Sequence, residues 1–275
     1  AYASMFATLM AGGYYAPANL SAPTVKQVQT RTGFAPDIII TNSDARASFD
    51  DISLHGAILL DLDELGYSEL CEPRPAHELA YVMFTSGSTG IPKGVMIPRQ
   101  GLKHYASWAT EAMGIGPGDK MSQHPNIAFD LSVLDIYGAL CSGATLYPLV
   151  STMERLAPAK FVRKHGLTIW NSVPSVISLM SRAKHLTKEN LASLRLLTFC
   201  GEPLYKEHLD GIFQAHSGVV VHNTYGPTEA TVSCTLIKLT SENYLEACDS
   251  SVAIGEPISG MKLILEGPEA DAGEI

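Results

Sequence analysis

Residues 84–94, Phe-Thr-Ser-Gly-Ser-Thr-Gly-Ile-Pro-Lys-Gly, combine small hydroxyl side chains and glycines with one lysine, directly after the apolar run 79–83. Glycines let backbone amides approach an anion closely, hydroxyl groups can donate to it, and Lys93 adds a point charge that suits phosphate. The segment is not a Walker A loop, because Lys93 lies between a proline and a glycine. A flexible surface loop is the alternative, and the position after an apolar strand favours phosphate binding.

A second segment, NTYGPTEATV at 223–232, sets a Gly226-Pro227 turn between Tyr225 and the pair Thr228-Glu229. A tyrosine ring can stack on a planar base, and a glutamate carboxylate can hold Mg²⁺. An ordinary strand–turn–helix connection with a threonine cap explains the same residues.

A third segment, FDLSVLD at 129–135, puts Asp130 in apolar surroundings, where a carboxylate must be paired or hydrogen-bonded. Asp130 could bind a substrate ammonium group, or it could cap the helix that follows. Asp135 lies about one turn later and is more simply explained as a structural residue.

These segments must be positioned by a fold in which short apolar runs alternate with helical patterns. Most strand candidates are apolar on consecutive residues, which is typical of sheets covered by helices on both faces. The alternation predicts an α/β fold with parallel sheets. The predicted strands are 37–42, 56–61, 80–86, 120–126, 144–149, 167–174, 194–201 and 219–226, and the predicted helices are 22–33, 99–113, 131–142, 157–166, 174–183, 187–192 and 204–216.

In such sheets, ligands bind beyond the carboxyl ends of the strands. The loops TSGSTG (85–90), AFD (128–130), CGE (200–202) and TYGPTE (224–229) each follow a predicted strand. We therefore expect four loops, distant in sequence, to converge on one crevice. The polar stretch 63–79 is the best candidate for a linker or a change of subdomain.

The 275 residues are 46% hydrophobic and carry a formal net charge of −9, with no cluster of Lys and Arg. A nucleic-acid-binding basic face is therefore excluded, and no apolar stretch is long enough to predict membrane insertion. The cysteines are odd in number, scattered and without a C-x-x-C pair, which favours reduced thiols and a cytoplasmic location. They are Cys71, Cys141, Cys200, Cys234 and Cys248.

The opening residues 1–18 predict a buried helix, a stop at Gly12-Gly13 and a short strand, with Met5, Phe6, Leu9 and Met10 as the buried face. They lack the basic region of a signal peptide. Because the chain starts in mid-helix without Met, we expect it to be a piece of a longer protein.

Taken in order and at these distances, FTSGSTGIPKG, AFDLSVLDIYGAL, LTFCGEPL and NTYGPTEATV resemble the motifs of the adenylate-forming enzymes. These enzymes include the adenylation domains of nonribosomal peptide synthetases and the acyl-CoA synthetases. The segments 9–23 and 253–265 also resemble family segments, so the likeness covers essentially the whole chain. In style, the motifs are most similar to those of the D-alanine–carrier-protein ligases.

The resemblance implies a set of site residues. Thr85, Ser86, Gly87, Ser88, Thr89, Gly90 and Lys93 would handle the ATP phosphates, and Gly201, Glu202, Pro203, Asn223, Thr224, Tyr225 and Gly226 would bind the nucleotide, with Tyr225 stacked on the base. Thr228 would contact the α-phosphate and Glu229 would bind Mg²⁺; with Thr85 and Lys93 these two form the implied catalytic group. Asp130 would pair with the substrate α-ammonium, in a pocket walled by Leu131, Leu134, Asn171, Thr198, Cys200 and Val232, with Thr224 beside them.

Cys200 has two explanations. In the D-alanine ligases, a cysteine at this point narrows the pocket and helps to select the hand of a small substrate; a buried inert thiol is the alternative. Asn171 and Thr198 are more polar than an alanine pocket requires, which leaves the side chain of the substrate open. His124 is expected to lie near the site without a catalytic role.

The implied reaction is ATP-dependent adenylation of an amino acid, with D-alanine as a favoured small substrate, followed by transfer to the phosphopantetheine thiol of a carrier protein. The chain would be a partial large domain of stacked, mostly parallel sheets flanked by helices. The family's further segments, a ribose-binding aspartate, a hinge and a small C-terminal domain with a catalytic lysine, do not occur in these residues, so we expect weak or no turnover from the chain alone.

Three other functions remain open: peptide-synthetase activation of another amino acid, acyl-CoA synthesis, and nucleotide binding without chemistry. Asp130 argues against an acyl substrate, which has no ammonium group to pair. A P-loop phosphotransferase is disfavoured, because the chain has no G-K-[ST] and does have the YGPTE turn.

Overall fold

A computed structural model describes residues 1–23, 27, 29–30, 33–46, 56–66, 75–86, 91–269 and 272–274. The chain forms two compact units. The first contains Ala1–Leu102 and Asn126–Phe129, and the second contains Lys103–Pro125 and Asp130–Ile275. The predicted subdomain change near 63–79 stays a prediction, since residues 67–74 lie outside the described residues.

The first unit contains two small sheets. β1 (Ile38–Thr41) and β2 (Ile58–Asp61) pair in parallel, and β3 (Leu79–Ser86) and β4 (Pro92–Pro98) pair antiparallel. Among its described residues, the helical segments with defined bounds are α1 (Tyr2–Met10), the short α2 (Ser43–Arg46) and a 3-10 turn at Leu62–Glu64.

Strand β4 was not predicted from the sequence. Pro92 and Gly94 suggested a loop, yet Pro92 is the first residue of the strand, where its missing N–H removes no necessary ladder bond. Pairing puts Thr85 opposite Lys93 and Ser86 opposite Pro92. Lys93 therefore lies in a strand rather than in a loop.

Helix α1 confirms the predicted opening helix, but its burial differs from the prediction. Met5 is buried, whereas Met10 is 78% exposed. The expected short strand is reduced to a single bridge between Tyr15 and Tyr81.

The second unit is built around a seven-stranded sheet. Its strands, in chain order, are β5 (Lys120–Gln123), β6 (Thr145–Pro148), β7 (Ile169–Ser172), β8 (Leu196–Phe199), β9 (Val220–Tyr225), β10 (Thr235–Leu239) and β11 (Glu256–Pro257). The spatial order is β11-β10-β9-β8-β7-β5-β6. A separate pair, β12 (Glu266–Glu269) and β13 (Ala272–Glu274), follows.

The helices are α3 (Arg99–Ala112), which begins in the first unit, then α4 (Leu131–Ser142), α5 (Thr152–Leu156), α6 (Pro158–His165), α7 (Pro174–Arg182), α8 (Lys188–Leu191) and α9 (Lys206–Ala215), with 3-10 turns at Thr228–Ala230 and Tyr244–Ala247. Helix α5 was not predicted; it is a short segment started by a Ser151–Glu154 capping box. No helix in the described ranges is long and apolar enough to cross a membrane.

Five strands of the large sheet are parallel: β6, β5, β7, β8 and β9. Strand β10 runs antiparallel to β9, and β11 runs antiparallel to β10. The predicted mostly parallel α/β fold is confirmed. All four residues of β7 and of β8 are buried, as the continuous apolar runs indicated. Trp170, Leu197 and Phe199 belong to the main apolar cluster of the unit.

At the amino edge of this sheet, the carboxylate of Asp119 connects three segments through hydrogen bonds. Asp119 accepts hydrogen bonds from Arg195 Nε and Nη2, both at 2.8 Å, from Thr168 Oγ1 at 2.7 Å and from the Gly116 amide at 3.1 Å. The hydrogen bond from Arg195, helped by those from Thr168 and Gly116, lowers the pKa of Asp119 to about 2. This cluster links the residues that precede β5, β7 and β8.

We expect Asp119→Asn to lower the free energy of unfolding at pH 7 by about 1–2 kcal/mol. This value is smaller than the full pKa shift would give, because Arg195 is partly exposed and solvent screens its charge. The folded pKa lies below the unfolded value of 3.8, so this stability is fully present above pH 3.8 and is lost as the pH falls through about 2. Urea unfolding at pH 7 and pH 3 measures the effect. The exposed pair Lys206–Asp210 supplies the control: Asp210→Asn should change little, and an equal loss there would refute the special role of Asp119.

Candidate active site

Four neighbouring parallel strands end at one edge of the large sheet: β5 at Gln123, β7 at Ser172, β8 at Phe199 and β9 at Tyr225. Three of the four loops predicted to converge follow these strands. The fourth, 85–90, follows β3 in the antiparallel hairpin of the other unit, and its residues 87–90 lie outside the described residues, so its convergence with the other three stays a prediction.

In the hairpin, Thr85 is half-buried, and Ser86 and Lys93 are exposed. The predicted phosphate-binding residues Gly87, Ser88, Thr89 and Gly90 lie outside the described residues. The roles assigned to this segment stay predictions.

Asp130 immediately precedes α4, but its side chain makes no capping hydrogen bond. Burial raises the pKa of its carboxyl; a hydrogen bond from Thr228 opposes that rise, and the charge of Glu229 adds to it. The Asp130 side chain therefore does not cap helix α4. Asp130, Thr228 and Glu229 lie together, as the motifs implied.

The predicted pocket residues surround this aspartate. Leu131 and Leu134 of α4 are buried, and the Leu131 carbonyl accepts a hydrogen bond from Asn171 Nδ2 at 3.0 Å. Asn171 in β7 is paired with Thr198 in β8. Helix α4 thus covers the face of the sheet from which Asn171 projects.

Cys200 follows β8 and is buried, with its Sγ donating to the Val232 carbonyl at 3.8 Å. Burial is the main reason that its pKa rises to about 11, so the thiol is neutral at pH 7. A neutral, buried thiol fits a pocket wall and does not fit a nucleophile.

Val232 and its neighbour Thr231 have φ values of 75° and 61°, in the left-handed region that branched side chains rarely adopt. Such backbone strain persists only where the surroundings hold it, and it is frequent at ligand sites.

The predicted nucleotide-binding residues divide into those whose side chains have no protein partner named here and those that form hydrogen bonds within the protein. Tyr225 is 40% exposed, and Glu229, Gly201 and Pro203 are also exposed, so all four are accessible at the carboxyl edge. Glu202, by contrast, accepts from the Ser175 amide at 2.9 Å and from its hydroxyl at 3.1 Å, at the start of α7.

Two further members of the second group have protein partners. Asn223 Nδ2 donates to the Ala253 carbonyl at 2.9 Å, and Thr224 Oγ1 donates to the Phe199 carbonyl at 3.0 Å. Because strand side chains alternate, Asn223 projects to the face opposite Thr224. Both side chains fix the end of β9.

Sequence reasoning missed Tyr105. This residue of α3 is buried, and burial raises the pKa of its hydroxyl, while a hydrogen bond with Ser233 opposes the rise and the nearby Cys200 and Asp130 add to it. Its helical spacing with Leu102 and Ala109 looks like an ordinary apolar face, so no signal in the sequence distinguishes it.

Asp135 is fully buried, and neither carboxylate oxygen makes a hydrogen bond of normal geometry with the described residues. Burial raises its pKa well above the ordinary value; the nearby Asn171 side chain and His124 backbone offset only part of this rise. His124 itself has both ring nitrogens near protein partners, Ser172 Oγ at 2.9 Å and the Arg155 carbonyl at 3.3 Å. His124 therefore forms hydrogen bonds within the protein, and we assign it no catalytic role.

Among the described residues, no group of three or more His, Cys, Asp or Glu side chains could hold a metal ion. Glu229 is a single exposed carboxylate. One carboxylate completed by phosphate oxygens and water is a common arrangement for Mg²⁺, so Glu229 fits a magnesium–nucleotide complex better than a permanent metal site.

A mostly parallel sheet with polar loops gathered at its carboxyl edge defines an α/β ligand-binding domain. A sequence model of the family described as AMP-binding enzyme matches residues 1–275. The chain therefore belongs to the AMP-binding enzyme family.

Similar proteins agree with this membership. The chain is 39% identical over 186 residues to an L-proline–[L-prolyl-carrier protein] ligase of Streptomyces coelicolor, covering 66% of this chain and 34% of that protein. It is 29% identical over 286 residues to a D-alanine–D-alanyl carrier protein ligase of Listeria innocua, covering 98% of this chain and 55% of the relative. The chain thus spans about half the length, or less, of these relatives.

A solved structure with the same fold is the Vibrio cholerae adenylation domain AlmE in complex with glycyl-adenosine-5'-phosphate. The TM-score is 0.77 at 29% sequence identity, over 93% of this chain and 53% of that one. The comparison supports the fold class over nearly the whole chain.

Gly226 lies against backbone that leaves no room for a side chain. A Cβ atom at this position would lie 2.4 Å from Ser233 Cα and 2.7 Å from the Cys234 amide nitrogen, so backbone would have to move. We expect Gly226→Ala to destabilise the chain by about 3 kcal/mol, the upper end for overpacking, and to displace Tyr225. Urea unfolding measures the loss. Gly116→Ala is the control, because its Cβ meets nothing within 4 Å; equal stability of the two variants would contradict the close contact.

Proposed function

We propose that the protein activates an amino acid with ATP, forming an aminoacyl-adenylate and pyrophosphate, and that the whole protein then transfers the acyl group to a carrier-protein thiol. The observation that carries the proposal is Asp130, a carboxylate freed from helix capping and held beside Thr228 and Glu229 at the carboxyl edge. An amino acid offers the ammonium group that such a half-buried carboxylate can pair with.

The relatives support both halves of the reaction. The two ligases described above act on carrier proteins and are named for amino acids, and AlmE was crystallised with an aminoacyl-adenylate. The acceptor proposed here is the phosphopantetheine thiol of such a carrier protein.

The first half-reaction needs no general base, because the attacking carboxylate is already ionised at pH 7. Its barrier comes from positioning and from the meeting of two anions. Thr228 would donate to the α-phosphate, Tyr225 would stack on the base, and Lys93 with Thr85 would neutralise and hold the outer phosphates. Mg²⁺, when bound at Glu229, would supply further charge neutralisation to the phosphates.

A small amino acid is the proposed substrate. Leu131, Leu134, Cys200 and Val232, which the family resemblance assigns to the pocket wall, are all buried, so the wall is largely apolar. The named substrates of the relatives, D-alanine and L-proline, are both compact. The cytoplasmic location remains a prediction from the sequence.

ATP–pyrophosphate exchange on the longest natural protein that contains this chain tests the proposal, with the 275-residue chain assayed alongside. The panel is D- and L-alanine, glycine, β-alanine, D- and L-serine, L-proline and a short fatty acid. We expect exchange that requires an amino acid and is strongest with a small one. Exchange with the fatty acid alone would favour an acyl-CoA synthetase, and no exchange with any acid would favour a nucleotide-binding module.

Asp130→Asn keeps the size of the side chain and removes its charge. We expect kcat/KM for the amino acid to fall by about 10²–10³, with the KM for ATP nearly unchanged. Glu229→Ala, in contrast, should weaken the use of ATP with every amino acid.

The pH dependence gives Asp130 a second test. Because its pKa is raised, the wild-type KM for the amino acid should rise as the pH falls towards that pKa, when the carboxyl becomes protonated and loses its charge. The Asn variant should lack this rise. Near-normal adenylation by Asp130→Asn would remove the assigned role.

A further inference from the structure

The short helix α5 presents its apolar side chains to solvent. Val150, Met153 and Leu156 follow one another at intervals of three residues and are 78%, 72% and 63% exposed. None of the five residues of α5 is buried, and the Ser151–Glu154 capping box holds the helix where an apolar face packed on the sheet would otherwise do so. A single exposed apolar side chain is ordinary, whereas three around one helical turn form a patch of the kind found at interaction sites.

Basic side chains follow this patch along the chain. Between residues 155 and 195 there are eight Lys and Arg residues and one acidic residue, Glu189, although the net charge of the chain is −9. They are spread over four helices and their connections, so they form no basic run in the sequence. Lys160, Arg163 and Lys164 share the exposed side of α6, because positions three and four apart lie together on a helix. All eight are exposed: Arg155, Lys160, Arg163, Lys164, Arg182, Lys184, Lys188 and Arg195.

The basic side of α6 lies close to α5. Hydrogen bonds from Ser151 lower the pKa of the Glu154 carboxyl, and the charge of Lys164 contributes to the same shift. Arg163 is paired with Glu189, its Nη1 2.6 Å from Oε1. The other basic residues next to the patch form no ion pair within the part of the chain that the structure describes. We name the apolar patch and these unpaired basic residues the α5 surface: Val150, Met153, Leu156, Arg155, Lys160 and Lys164.

The α5 surface lies at the carboxyl edge of the large sheet. Strand β6 ends at Pro148, the register partner of Gln123 at the end of β5, and α5 begins four residues later. The Arg155 carbonyl is 3.3 Å from His124 Nε2, and His124 Nδ1 is 2.9 Å from Ser172 Oγ at the end of β7. Helix α5 is therefore attached to the edge at which the proposed substrate site lies.

A partner of this surface must complement both its charge and its apolar centre. Protein interfaces combine an apolar core with a polar rim, and charges of opposite sign across the rim guide association. In the proposed reaction, a carrier protein must bring its thiol to this same edge.

We propose that the α5 surface docks the carrier protein, through a face of the carrier that has acidic side chains around an apolar one. This inference rests on the proposed function and adds the place at which its protein partner binds. The apolar residues supply most of the binding energy, and the basic residues supply orientation and a faster encounter.

Two assays on the longest natural protein that contains the chain separate docking from adenylation. ATP–pyrophosphate exchange needs no carrier, whereas transfer of the acyl group to a carrier loaded with phosphopantetheine does. The probes are a D-alanyl and an L-prolyl carrier protein, the two kinds for which the relatives are named. We expect Met153→Asp to raise the KM for the carrier about tenfold or more, while exchange stays within about twofold of the wild-type rate.

Charge reversal tests the basic residues. Lys160→Glu should raise the KM for the carrier about three- to tenfold at low salt, and the difference from wild type should shrink as salt is added, because screening weakens the attraction that was lost. Two exposed residues outside the α5 surface supply matched controls. Leu245→Asp changes an apolar residue that is 56% exposed in the turn Tyr244–Ala247, and Lys262→Glu reverses an exposed charge. Both controls should leave exchange and the KM for the carrier unchanged.

Several outcomes would overturn the docking surface while leaving adenylation intact. An unchanged carrier KM in Met153→Asp, or an equal rise in Leu245→Asp, would do so. So would normal exchange without transfer to either carrier. A lower midpoint of urea unfolding in Met153→Asp would mean that another part of the longer protein covers the surface.

A lipid surface is the other partner that an apolar patch with basic neighbours could bind. Vesicles of phosphatidylcholine with phosphatidylglycerol test it: we expect no sedimentation of the wild-type protein with them. Sedimentation that Lys160→Glu abolishes would assign the surface to a membrane and overturn carrier docking. No exchange by the wild-type protein with any amino acid would refute the proposed function itself, and this inference with it.

Discussion

The parallel pairing of β5, β7, β8 and β9 is the constraint on which the site depends. Strands that run in one direction end at one edge, and this brings Asp130, Cys200 and Glu229 into one region of the second unit. Register is equally decisive, because a slip of one residue exchanges the two faces of a strand. Leu197 and Phe199 project into the main apolar cluster, so Thr198, between them, must project to the other face. The apolar residues thus specify where the polar ones lie.

The two edges of the same sheet are built differently. At the amino edge, Asp119 has four hydrogen bonds and a pKa lowered to about 2, which makes its charge a source of stability. On the site side, Asp130 and Asp135 have raised pKa values, and Thr231 and Val232 have left-handed φ values. Groups that lack partners and backbone under strain reduce stability. Raised carboxyl pKa values and backbone strain on this side are compatible with a binding site, because a ligand can offset part of their cost.

The sequence predicted the parts that depend on local pattern. β5, β7, β8 and β9 are all present, but each predicted strand was too long. The prediction for β5, for example, ended at Asn126, three residues beyond the observed end, because polar loop residues such as His124 continue the extended chain. β4 and β10 were missed, since Pro92 resembles a breaker and β10 follows an irregular turn. Strand order depends on long-range contacts, so the sequence could not assign the 85–90 loop to the hairpin of β3 and β4, although the other three loops follow neighbouring strands of one sheet. Tyr105 could not be found, because its spacing is that of any buried helix face.

Asp130 precedes helix α4 without capping it. An aspartate before a helix commonly caps it, and its oxygens are then used by backbone amides. Here residues Leu131 to Ala139 are all buried, and Asn171 holds the Leu131 carbonyl from the sheet. Packing and this one hydrogen bond locate the start of the helix, so no capping bond from Asp130 is needed. Its carboxylate can therefore remain incompletely satisfied, beside Thr228, and available to the ammonium group of the proposed substrate. The same hydrogen bond from Asn171 links β7 to the first residue of the helix, and in this way the sheet determines the position of Asp130.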